Sequence, residues 1–132
     1  MTGLLDTHTI IWSVLYPERL SSKATSFIEH PGNEIIVSAV SFYEMSIKFR
    51  LNKLQMKGLT PLDILRTCIQ QGYHTHSLNE NEATSFFQLT LRQHHDPFDR
   101  MLVWQSIRSG WHLISKDPLL VEYKNEGLQL MW

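Results

Sequence analysis

Two hydrophobic patterns alternate along this chain, short apolar runs and longer stretches with apolar residues at helical spacing. Gly3 to Leu5 is the first apolar run and predicts a short strand. Ile10, Ile11, Val14 and Leu15 then recur with helical period; Thr7 is placed to cap that helix and Pro17 to end it. Ser21-Ser22 opens a second helix through Ile28, Pro31-Gly32-Asn33 reads as a turn, and Ile35 to Ser38 as the second strand. Ser41 can cap a helix that carries Glu44 and runs to about Leu51. Asn52 to Thr60 is a loop or arm, and Pro61 suits the first turn of a helix that reaches Gln71, where Gly72 stops it. Tyr73 to Leu78 is polar for a strand and is expected near a sheet edge. Asn79 or Asn81 starts a helix reaching about Leu91, and Asp96-Pro97 starts another that ends near Gly110. His112 to Ser115 is a strand, a short helix follows Pro118, and Leu128 to Trp132 is the last strand.

Strand–helix alternation with short connections predicts an α/β fold: a three-layer α/β/α sandwich around a mostly parallel sheet. With no internal repeat and no linker, residues 1–132 read as one domain. Hydrophobic residues at 42% and charged residues at 19% exclude a disordered chain. The formal net charge of −1 means that any polyanion must be held by a local patch. Cys68 is the only cysteine, which excludes an intrachain disulfide and fits a reducing cytoplasm. No apolar run approaches the ~20 residues of a membrane span. The first residues carry no Lys or Arg ahead of their apolar positions, so they do not read as a secretory signal.

Charge becomes informative at four acids. Asp6 follows the first strand, Glu44 comes after the second, Asp99 lies in His95-Asp96-Pro97-Phe98-Asp99-Arg100, and Asp117 follows Leu113-Ile114-Ser115. In an alternating α/β chain the carboxyl ends of parallel strands share one edge of the sheet, so these acids are expected to meet in one pocket. Two unit charges ~4 Å apart interact by roughly 4 kcal/mol at an effective dielectric of ~20, and here the sign is repulsive. Such a pocket is tolerated when a hard divalent cation sits in it, since Mg²⁺ and Mn²⁺ select carboxylate and water oxygens.

The same segments carry a resemblance. Leu4-Leu5-Asp6-Thr7-His8, the stretch from Ser38 to Lys48, His95 to Val103, and Leu113 to Pro118 resemble the successive motifs of PIN-domain proteins, in order and across nearly the whole chain. The resemblance is nearest to the VapC-type ribonuclease toxins of toxin–antitoxin pairs. It implies a Mg²⁺- or Mn²⁺-dependent endoribonuclease acting on RNA, with Asp6, Glu44, Asp99 and Asp117 as catalytic metal ligands. It also implies an antitoxin partner and a homodimer.

Each residue has a plainer role to set beside this one. Asp6, Asp96 and Asp117 are natural helix caps, and Asp99 would complement a helix dipole. Asp96 and Asp99 flank the same helix start, so either could serve the site. Thr7, Ser38 and Ser115 could orient a water or a phosphate, or only cap backbone. Arg100 and Lys116 could meet phosphate or balance charge. Lys48, Arg50, Lys53 and Lys57 could guide an RNA backbone or form a solvated helix end. His8, His94 and His95 lack zinc-ligand spacing. Trp12, Trp104, Trp111 and Trp132 read as core, and the helix of Ile10 to Tyr16 is apolar enough to be covered by another chain. Two other functions fit the pattern less well. One is a catalytically silent PIN-like interaction module. The other is an aspartyl-phosphate phosphatase using Asp6, against which stands His8 where a second Asp is needed.

Overall fold

The structure, a computed structural model, describes residues 1–92 and 95–132; the reading of His94 lies outside them. The elements run β1 (Thr2–Leu5), α1 (Thr7–Leu15), a 3₁₀ turn at Pro17–Arg19, α2 (Ser22–Glu29), β2 (Glu34–Ser38), α3 (Ala39–Arg50), α4 (Pro61–Gln70), β3 (His74–His76), α5 (Glu80–Ser85), a 3₁₀ turn at Phe86–Gln88, α6 (Pro97–Ser109), β4 (His112–Ile114), a 3₁₀ segment Pro118–Glu126, and β5 (Gln129–Met131).

The five strands form one sheet in the order β3-β2-β1-β4-β5, and every pairing is parallel. Helices on both faces make the three-layer sandwich that the alternation predicts. The strands read as continuous apolar runs because both faces are buried. Leu5, Ile35, Val37 and Ile114 face a layer built on Ile10, Ile11, Phe27, Met45, Ile64 and Cys68. Their neighbours Leu4, Ile36 and Leu113 face Leu102, Val103, Trp104, Leu120 and Tyr123. Cys68 is a packing residue, its thiol pushed up to about 12 by burial. No helix among the described residues is long and apolar enough to cross a membrane.

Two helix starts and one helix end differ from the sequence reading. Asp6, not Thr7, caps α1, its Oδ1 accepting the Thr9 N–H at 2.8 Å. A carboxylate also complements the helix dipole, and the Thr7 hydroxyl is committed elsewhere. Ser38, not Ser41, caps α3 through the Val40 N–H at 3.1 Å. The helix therefore begins three residues early and buries the Ser41 hydroxyl without a partner among the described residues. Asn79 caps α5, which stops at Ser85, well short of Leu91. The hydroxyls of Thr84 and Ser85 bond back to the Glu80 and Asn81 carbonyls at 2.6 Å, which weakens the helix there. The polar strand after Gly72 is an edge strand as expected, but only three residues long.

Strand order positions everything else. From β1 the chain builds outward through β2 and β3, then returns to add β4 and β5 on the other side of β1. The order reverses between β1 and β4, and α/β sheets hold ligands beyond the carboxyl ends of the strands at such a reversal. Asp6 follows β1 and Asp117 comes shortly after β4, on the two sides of that crevice.

Candidate active site

A cleft of about 420 Å³ opens there, lined by Asp6, Asp99 and Asp117 together with His8, Trp12, Lys116 and Pro118. Each acid arrives by a different route. Asp6 is the link between β1 and α1 and is only 7% exposed. Its backbone N–H donates to the Ile114 carbonyl at 3.2 Å, pinning it across the sheet to the end of β4. Burial pushes its carboxyl above the ordinary carboxylate range, and hydrogen bonds from Ser115 and Thr9 oppose that shift only in part. Ser115 also accepts the Asp117 N–H at 3.1 Å, so one hydroxyl organises both acids.

Asp117 caps the 3₁₀ segment Pro118–Glu126 through the Leu119 N–H at 2.9 Å. Asp99 comes from the first turn of α6. Asp96 is the cap of that helix, its Oδ1 accepting the N–H groups of Phe98 and Asp99 at 2.9 and 3.0 Å. The geometry thus separates the two: Asp96 holds the helix and Asp99 lines the cleft.

Glu44 is arranged differently. It is buried in α3 at 2% exposure and does not line the cleft. Its Oε1 accepts the Thr7 hydroxyl at 2.6 Å, and its Oε2 pairs with Lys48 one turn on. Burial works against the Lys48 charge, but the hydrogen bond and charge of Glu44, joined by Asp96 and Asp99, hold its ammonium above the ordinary value. Among the described residues no three His, Cys, Asp or Glu side chains converge closely enough to hold one metal ion. The expected repulsion is eased residue by residue: Glu44 has an internal cation, burial raises the Asp6 carboxyl, and Asp117 accepts a backbone N–H from Leu119.

Several supporting residues are committed elsewhere. Ser38 donates to Gln105 Oε1 at 2.7 Å, Gln105 Nε2 donates to Glu82 Oε1 at 3.0 Å, and Glu82 Oε2 meets His76 Nε2 at 2.7 Å. This buried chain ties β2, α6, α5 and β3 together, and neither Glu82 nor Gln105 stands out in the sequence. Arg100 is directed away from any phosphate: its guanidinium donates to the Leu89 and Thr90 carbonyls and to the Tyr123 hydroxyl and lies over Phe86. Of the basic run, Lys48 is paired with Glu44, and Lys57 donates to the Leu15 carbonyl and sits over the Tyr16 ring. Arg50 and Lys53 are exposed, as is His95.

Sequence reasoning set Lys116 beside the acids and His8 at the surface or near the site, but it read Trp12 as core and missed its place in the cleft. His8 and Trp12 lie one turn apart on α1, with ring centroids 5.8 Å apart, and Lys116 stands over the Trp12 ring. The spacing of Trp12 from Asp6 could have revealed it, but the apolarity of the helix suggested burial. Most of the apolar surface of α1 is taken up internally: Ile10 and Ile11 are core, and Val14, Leu15 and Tyr16 pack on that core. Exposed apolar side chains occur on α3 and α4, among them Tyr43, Leu62 and Ile69, and elsewhere at Phe87, Leu91 and Val121.

Comparison with known proteins places this arrangement. Ribonuclease VapC22 of Mycobacterium tuberculosis is 27% identical over 133 residues, covering 99% of this chain and 98% of that one. The crystal structure of VapBC2 from Rickettsia felis, bound to a DNA fragment from their promoter, superposes with a TM-score of 0.69 at 13% identity, covering 99% and 98% of the two chains. VapBC-1 from nontypeable Haemophilus influenzae gives a TM-score of 0.58 at 15% identity, covering 99% and 97%. The family model for the PIN domain matches residues 3–125, a span that contains all four acids and the strand reversal between them, and the chain belongs to that family.

Proposed function

We propose that this protein is a divalent-metal-dependent endoribonuclease and the toxin of a toxin–antitoxin pair. The observation that carries the proposal is the meeting of Asp6, Asp99 and Asp117 in one cleft at the point where strand order reverses. A relative named as a ribonuclease over its full length, and the VapBC structures with the same fold, support it.

The donor set fits Mg²⁺ or Mn²⁺. It consists of carboxylates alone, and Mg²⁺ needs only one or two of them because it keeps several waters. One or two of Asp6, Asp99 and Asp117 would hold the ion directly and the rest through its waters, and Glu44 would join them on release from Lys48. When bound, such an ion activates water and screens phosphoryl oxygens. The chain's own residues do the rest. The Thr9 N–H fixes the Asp6 carboxyl by holding one of its oxygens. Ser115 sets the spacing of Asp6 and Asp117. Lys116 supplies positive charge on a wall otherwise hostile to a phosphodiester. The exposed apolar positions of α3 and α4 offer surface to a second copy of the chain and to an antitoxin that would restrain the nuclease.

The test is incubation of the purified protein with labelled total RNA in Mg²⁺, in Mn²⁺ and in EDTA. Discrete fragments in either metal and none in EDTA are expected. Intact RNA under every condition would overturn the nuclease reading and leave the silent interaction module. Co-expression with the product of an adjacent small gene should give a complex that does not cleave.

A further inference from the structure

Trp12 is the feature of the cleft that the acids do not explain. It is a large aromatic left half-buried in the lining of the cleft, which it shares with three carboxylates. The Trp132 ring meets it at 62° with centroids 5.8 Å apart, which fixes its plane, and His8 abuts it at a tilt. Its best-placed polar neighbour is the exposed Lys116, whose Nζ lies 5.8 Å from the ring centroid. That is close to the ~6 Å outer limit of a cation–π contact, so the ammonium is easily displaced. An aromatic ring held edge-on by a second ring, with a movable cation over its face, is the chemistry that receives a nucleobase and its phosphate. The cleft volume of about 420 Å³ falls within the range of small-ligand pockets.

We propose that Trp12 is the stacking platform for an RNA base beside the scissile phosphate, with Lys116 moving from the ring to a flanking phosphate. This rests on the nuclease reading above and adds the means by which the substrate strand is seated. The carboxylates would hold the cation that screens the reacting phosphate. The indole in the same cleft takes the adjoining base. Trp12 then sets the register of the cut, because the stacked base fixes which phosphate reaches Asp6 and Asp117.

The test uses a short end-labelled RNA spanning a site mapped on total RNA, in Mg²⁺, with Trp12→Phe and Trp12→Leu. Stacking lost on removal of an aromatic ring should lower kcat/KM by roughly 5- to 100-fold in Trp12→Leu and by less in Trp12→Phe. A series of substrates with one abasic nucleotide at successive positions locates the base. At one position flanking the cut, the wild type should lose the same factor, while Trp12→Leu loses little more. In parallel, Asp6→Asn and Asp6→Asn/Trp12→Leu are titrated with the intact oligonucleotide by fluorescence anisotropy, and the double variant should bind more weakly by the same factor. Equal kcat/KM for Trp12→Leu and wild type, or losses that multiply at every abasic position, would overturn the platform while leaving the nuclease standing. If Trp12→Leu does not fold, the abasic series on the wild type decides, and indifference to every flanking abasic site overturns the proposal. A wild type that cleaves no RNA overturns both readings.

Discussion

The Thr7 hydroxyl donates to Glu44 Oε1 at 2.6 Å across 37 positions of sequence, and Lys48 closes the other oxygen of the same carboxylate. Two helices that follow neighbouring strands are thereby joined through one buried charge. Lys48 is 30% exposed at its side chain, so its pairing is partly screened, while Glu44 has no access to water to fall back on.

Lys48→Met should therefore destabilise the metal-free protein by about 1–3 kcal/mol, the cost of a buried charge left without its partner after allowance for screening. Adding Glu44→Gln should restore most of the loss, since removing both charges removes the conflict. Mg²⁺ should raise the melting temperature of Lys48→Met more than that of the wild type, because Glu44 is then free to meet the cation. Thermal melts of the two variants with and without Mg²⁺ check all three outcomes.

Asp6→Asn should lose at least about 100-fold in RNA cleavage, as expected when a charge acting on the reacting phosphate is removed. The fold should survive, since an amide oxygen still accepts the Thr9 N–H at the start of α1. The metal-free stability should also depend on pH in a definite sense. A folded carboxyl raised by burial contributes stability below its ordinary range and loses it as pH rises through the raised value. Asp6→Asn should therefore melt no lower than the wild type at neutral pH, and its advantage should vanish in acid. Melting curves across that range, without metal, give the comparison.

Glu82 carries the opposite sign. Burial alone would raise its carboxyl, but the hydrogen bonds of His76, Gln105 and the Asn79 N–H, with the charge of His76, hold it below the ordinary value. Its stabilisation is present above the usual carboxylate range and lost as pH falls through the folded value. Glu82→Gln should lower the melting temperature at neutral pH, and the gap to the wild type should close in acid.

Gly3 has no room for a side chain. A Cβ there would lie 2.5 Å from Phe27 Cε1 and 3.3 Å from Ile114 Cδ1. Gly3→Ala should cost about 1–3 kcal/mol by overpacking, and Phe27→Leu in the same chain should recover part of it. Chemical denaturation of the single and double variants measures both.

The strands were legible because both sheet faces are buried, so Leu4-Leu5 and Ile35-Ile36-Val37 show as unbroken apolar runs. Proline and glycine marked the ends of α1 and α6, and the left-handed Gly110 closes α6 where expected. What the sequence hid was competition for side chains. Thr7, Ser38 and Arg100 look available for a site, yet each is consumed by a partner distant in the chain: Glu44, Gln105 and the Leu89–Thr90 carbonyls. Trp12 was hidden for the converse reason. Its helix has apolar residues on all sides, and nothing local says which of them faces a cleft.

β1 lies in the middle of the sheet although it is the first strand made, and Gly3 pairs with both Ile35 and His112. A ribosome synthesising this chain therefore releases Asp6 long before β4 and Asp117 exist. Until then β1 has a bare edge, and the Asp6 N–H has no Ile114 carbonyl to bind. The acidic cleft is thus among the last features to form, and a half-made chain has no such cleft.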